Sequence, residues 1–165
     1  MDEYLDIVNE KDEVIGRELR SVVYAAQRSD FRVINAFLRN SEGKLWIPRR
    51  AAHKKIFPLS LDMSVGGHVE SGETYDETFR REAAEELNID IDTLPYRFLG
   101  HLTPHQDGLA AFMQVYEIQS DESPQYNPDD FIDYFWMTPK EVIERIEAGE
   151  KTKGDLPKLI KKFYV

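Results

Sequence analysis

Three features of this 165-residue chain predict one α+β domain in which strands and helices pack in layers. Short apolar runs of strand length recur from end to end, and helical start and stop signals fall between them. No repeat or low-complexity stretch divides the chain, and its length leaves room for a real core.

Taken in order, Tyr4 to Val8 and Glu13 to Gly16 are apolar segments flanking Asn9-Glu10-Lys11-Asp12, which predicts a small hairpin. Arg17 to Gln27 reads equally as a helix or an irregular link. Phe31 to Leu38 reads as a buried strand and Lys44 to Pro48 as another; Asn40-Ser41-Glu42-Gly43 supplies the turn, so the two are expected to pair. Leu61 to Val65 is expected as a strand entering a glycine pair, Gly66-Gly67. Arg97 to Leu102, Leu109 to Ile118 and Phe131 to Met137 read as later strands. Thr138 is placed as an N-cap with Pro139 behind it and an acidic first turn, starting a helix that runs to about Ala148. An amphipathic segment from Leu156 to Phe163 predicts the last helix.

The central helix is the most clearly signalled. Thr74 can cap a free amide while Glu77 reaches back, and Gly72 permits the tight turn before them. Asn88 tolerates the left-handed conformation that closes a helix. At 100° per residue Tyr75, Phe79, Ala83 and Leu87 form a core stripe, Glu82 and Glu86 fall on the same side, and Glu85 lies one step round. Carboxylates crowded at this boundary repel one another and lose hydration, so a positive partner is required. A hard divalent cation with oxygen ligands, Mg²⁺ with Mn²⁺ as its substitute, is the simplest; a salt-bridge network is the structural alternative.

With 31 acidic against 21 basic residues the formal charge is -10, which argues against general binding to nucleic acid or an anionic membrane. The absence of cysteine removes disulfides and thiol nucleophiles and suits the cytoplasm. No run is apolar enough to span a membrane, and the first residues lack the pattern of a signal peptide. Arg49 to Lys55 is the one dense basic cluster; Arg50 and Lys54 are its candidates for gripping phosphate oxygens, against a role in plain charge balance. Among the histidines, His68 and His105 are candidate substrate contacts, while His53 and His101 read as ordinary surface residues.

Gly67, Glu73, Arg81, Glu82, Ala83, Glu85, Glu86 and Ile89 fall at the spacings of the Nudix box, and the chain resembles that family over roughly residues 31 to 150. Ala83 and Asn88 depart from its usual aliphatic residue and glycine, and neither change removes a ligand. The resemblance implies a mixed sheet between helices, with residues 1 to 30 as an extension and 151 to 165 carrying the C-terminal helix. It implies hydrolysis of a diphosphate linkage in a nucleoside diphosphate derivative or similar small molecule. Glu82, Glu85, Glu86 and the Gly67 carbonyl would hold the metal, with Glu73 and Arg81 in support. Glu82, Asp130 and Asp133 are the candidates for general base. A homodimer contact is one use open to the extension.

The chain also resembles the isopentenyl diphosphate isomerases of the same family, through Asn9 to Gly16 and the spacing of Arg49-Arg50, Lys54-Lys55 and Pro58; their diphosphate contacts match Arg50 and Lys54. Their catalytic cysteine would fall at Gly66, and one of their metal histidines at Phe31. Hydrolysis is therefore expected, with isomerisation as the alternative and a non-catalytic binding module as a third reading.

Overall fold

The computed structural model describes residues 2–165, so Met1 lies outside it. The first hairpin pairs β1 (Tyr4–Val8) antiparallel with β2 (Val14–Leu19). The undecided segment divides: its first residues extend β2, and α1 (Arg20–Ala25) follows. Leu5, Ile7 and Val23 then bury against Phe31 and Ala111, which joins the extension to the main body.

The main sheet has six strands, with β6 (Tyr96–Leu102), β7 (Phe112–Gln119), β3 (Arg32–Arg39), β4 (Leu45–Arg50) and β8 (Phe131–Met137) in that order and β5 (Val65–His68) also paired to β3. β3 runs parallel to β7 along its full length. The mixed sheet and the small N-terminal hairpin are as expected. The expected β3/β4 hairpin is not: the two strands pair only at Arg39 and Leu45. β5 occupies β3 from Val33 to Ala36, and β4 is drawn to β8 instead.

The expected strand at Leu61 begins only at Val65. Ahead of it Asp62 Oδ1 accepts from the Met63 amide (2.7 Å), and Ser64 Oγ accepts from the Leu38 amide (2.9 Å). Such side-chain bonds to backbone amides, the first of them local, compete with a regular ladder. The stretch from Thr103 to Gly108, expected as a connection, contains a short helix, α3 (Pro104–Asp107).

Helix α2 (Tyr75–Leu87) has both bonds of the Thr74/Glu77 capping box and ends at Asn88 in the left-handed conformation, φ 53°. Its apolar stripe packs on Ile34, Ala36, Leu38 and Val65, with Phe79 stacked on Tyr116 at 4.0 Å between ring centres. Burying a ring of that size contributes about 2–3 kcal/mol. On the opposite face of the sheet α4 (Pro139–Glu147) and α5 (Leu156–Phe163) cover Phe37, Leu45, Ile47 and Val115. Helices thus lie on both faces, and α2 presents its acidic edge to β5. Among the described residues no helix is long and apolar enough to cross a membrane.

Candidate active site

The acidic edge of α2 and the glycines of β5 meet at close range. The Gly66 amide donates to Glu86 Oε1 at 2.8 Å. A Cβ on Gly67 would lie 2.2 Å from Glu82 Cδ, and one on Gly66 would lie 2.8 Å from Asn35 Oδ1. Neither glycine has a positive φ, so they serve here as vacated volume that lets the strand approach two carboxylates.

Arg81 sits among the acids. It forms two 2.8 Å bonds to Glu73, one of 2.8 Å to Glu82 and a longer contact of 3.5 Å to Glu85. Hydrogen bonding from Arg81 holds the Glu73 carboxyl below its ordinary range despite partial burial. Glu82 goes the other way: burial, aided by the charges of Glu85 and Asp130, pushes it up to about 7 against the pull of Arg81. Glu86 is raised well above the usual carboxylate range by burial and then by the charge of Glu82, with Asp62 and Asp130 adding and the Gly66 amide opposing. Among the described residues no three His, Asp or Glu side chains converge as a preformed cation site. Arg81 partly fills that electrostatic role for Glu82, while Glu86 has no cationic partner among the described residues. Hard oxygen donors with unmet negative charge fit a divalent cation.

Asp62 and Asp130, whose charges reach Glu86, tie the basic loop to this edge. Arg50 pairs with Asp62 at 2.9 Å and donates to the Ile56 carbonyl at 3.0 Å, while Lys54 pairs with Asp130 at 2.8 Å. Asp62 is only 4% exposed and also lies 3.9 Å from Lys153. His68 stacks on Phe31 at 5.8 Å and shares a hydrogen bond with Tyr24 of α1. Burial, with the nearby charges of Arg20, Lys153 and Arg81, drives its pKa down to about 3, so the ring is neutral at ordinary pH. Asp133 is half exposed and paired with Arg49 at 3.3 Å.

The sequence profile of the NUDIX domain matches residues 30–159. This chain belongs to the Nudix family. It is 54% identical over 162 residues to an uncharacterized Nudix hydrolase of Nostoc, covering 98% of this chain and 96% of the relative. A Nudix hydrolase of Deinococcus radiodurans is 54% identical over 163 residues, with 99% and 95% covered. A crystal structure from Deinococcus radiodurans superposes with a TM-score of 0.93 at 53% identity, covering 99% of this chain and 100% of that one. These relatives support the expectation of a Nudix hydrolase, and none of the three is an isomerase by name.

Within the Nudix domain the structure brings Gly67, Glu73, Arg81, Glu82, Glu85 and Glu86 together and sets Lys54, through Asp130, beside them. His105 is exposed on α3 against Phe112, and Phe131 and Tyr126 belong to the core around Trp46. Sequence reasoning missed Asp62, although a lone charge inside Leu61-Asp62-Met63-Ser64-Val65 was a usable signal. It also missed Tyr24, Asp6 and Asp12, for which no local signal exists.

Proposed function

We propose that this Nudix domain hydrolyses the diphosphate linkage of a small molecule, nucleoside diphosphate derivatives being the first class to test. The observation that carries the reading is a pair of half-buried, under-compensated carboxylates, Glu82 and Glu86, raised further by Asp62 and Asp130, the two acids that Arg50 and Lys54 pair with. Glu82, Glu85, Glu86 and the Gly67 carbonyl would hold Mg²⁺ or Mn²⁺. When bound, such an ion neutralises phosphate charge and lowers the pKa of water.

The remaining roles belong to the chain itself. Arg81, anchored on Glu73, steadies the first turns of the acidic edge. Arg50 and Lys54 keep donors free beyond their bonds to Asp62 and Asp130 and orient the substrate's phosphates. Neutral His68 offers a hydrogen-bond partner rather than a charge. As water attacks phosphorus and the bond to the bridging oxygen breaks, a carboxylate takes the water's proton. Asp130 stays close enough to influence both Glu82 and Glu86, which favours it over Asp133, held away on Arg49; Glu82 is its rival for this step.

The catalytic cysteine of the isomerases would fall at Gly66, where an added Cβ would lie 2.8 Å from Asn35 Oδ1 and displace it. The deciding experiment is Mg²⁺-dependent turnover on nucleoside diphosphates, nucleotide sugars and isopentenyl diphosphate, scored for both phosphate release and isomer formation. Phosphate release that stops with chelator is expected. Isomer formation, or silence on every substrate, would overturn the reading.

A further inference from the structure

The hairpin formed by β1 and β2 precedes the matched Nudix region, yet two of its carboxylates hold the loop that leads into the catalytic helix. Asp6 on β1 is 8% exposed, accepts from Ser71 Oγ at 2.8 Å and accepts from the Gly72 amide at 3.2 Å. The Ser71 amide also donates to the Tyr4 carbonyl at 2.8 Å, and Leu5 bridges to Glu70. Gly72 has φ +90°, a conformation whose entropy cost in the free chain is highest for glycine, so outside restraint on this turn matters. At the other end Asp12, itself at φ 59° in the hairpin turn, accepts from the hydroxyl of Tyr75, the first residue of α2, at 2.6 Å. Arg32 at 2.7 Å and His101 at 2.7 Å complete that junction.

The restrained segment between these two points contains Glu73. Its carboxylate receives the Glu70 amide (3.0 Å) and Thr78 Oγ1 (3.0 Å) and grips Arg81. Among the described residues Arg81 is the one cation bonded to both Glu82 and Glu85. A guanidinium held on Glu73 leaves those two acids able to exchange it for a metal; one released from Glu73 settles on them and competes.

We infer that Asp6 and Asp12 are positioning residues of the active site, clamping both ends of the loop that carries Glu73 and so limiting the competition between Arg81 and a bound cation. Apolar attachment of the hairpin is supplied by Leu5 and Ile7, packed with Val23 of α1, and does not account for a buried carboxylate bonded to the box loop. The inference rests on the metal-site reading above.

The test is a Mn²⁺ titration of the full chain without substrate, followed by the Mg²⁺ dependence of turnover. Asp6→Ala is expected to weaken Mn²⁺ binding about tenfold, the scale of losing hydrogen bonds to a charged group, while kcat at saturating metal stays within about twofold. Asp6→Asn can still accept from the Gly72 amide and donate to Ser71 Oγ, so it should bind metal as wild type does. Ser71→Ala removes one of the two side-chain bonds and serves if Asp6→Ala does not fold; it should weaken binding about threefold. Unchanged Mn²⁺ binding in Asp6→Ala, or in Ser71→Ala where that is used, would reduce the hairpin to structural support and overturn the inference. So would an Asp6→Asn as weak as Asp6→Ala. A wild-type chain that binds no Mn²⁺ would overturn the metal site itself, a failure distinct from that of the clamp.

Discussion

Glu86, half-buried on α2, and Glu117, buried within strand β7, have opposite surroundings. Glu117 on β7 is 1% exposed; it receives the Tyr164 hydroxyl at 2.7 Å and lies 3.3 Å from Arg97 and 3.7 Å from Arg39. Burial pushes its carboxyl up, but the hydrogen bonds from Tyr164 and Arg97 and the two arginine charges outweigh that and hold it low. Glu86 has one backbone amide and acidic neighbours, and is driven up. A carboxylate that serves the fold brings its own counterions. One that lacks them costs stability, which is intelligible if a ligand supplies the missing charge.

The largest expected effect comes from Glu86→Gln. Turnover should fall at least about 100-fold, the scale of losing one charge-stabilising group. In chelator the same variant should melt at a higher temperature than wild type, because the amide replaces a carboxyl that burial and acidic neighbours make costly to ionise and that has no counterion. A lower melting temperature with near-normal turnover would erase the contrast with Glu117.

Glu117→Gln should do the reverse, costing about 2 kcal/mol by denaturant titration, the scale of hydrogen bonds to a charged group. The more exposed Arg97 contributes little of this. Turnover per folded molecule should stay unchanged.

The third expectation concerns pH. Glu82 has a folded pKa near 7 against an ordinary 4.5, so the folded state binds protons that the unfolded state has released. Its contribution is full below about pH 4.5 and is lost as pH rises through about 7, with Glu86 extending the loss upward. His68 acts oppositely: with its pKa lowered from 6.5 to about 3, it costs stability only as pH falls below about 6.5. Metal-free protein should therefore lose melting temperature between pH 6.5 and 8, where His68 no longer contributes, and saturating Mg²⁺ should abolish the trend. The same slope with metal bound would separate these carboxylates from the cation.

Smallest is Tyr164→Phe, which removes one hydrogen bond from Glu117 and should cost about 1 kcal/mol in the same denaturant titration, with turnover untouched.

Much of the acidic edge was legible in the chain because its determinants are local. Thr74, Glu77 and Asn88 set the ends of α2 through bonds spanning three to five residues, and the stripe from Tyr75 to Leu87 follows from helical spacing alone. The glycine pair before the helix was legible too, although its reason, the closeness of Glu82 to Gly67, was not.

Residue order and helical geometry settle which side chains face one another along α2, where that helix stops, and that crowded acids there need positive charge. Tertiary structure alone decided the rest. It paired β3 with β5 and β7 rather than along the expected hairpin, joined Asp62 to Arg50 and Lys153, and placed Asp6 and Asp12 on a loop some sixty residues away. It also decided that Glu117 is compensated and Glu86 is not. Backbone geometry fixes neighbours three and four residues apart, whereas contacts between distant segments depend on which packing of the whole chain buries the most apolar surface with the fewest unpaired charges.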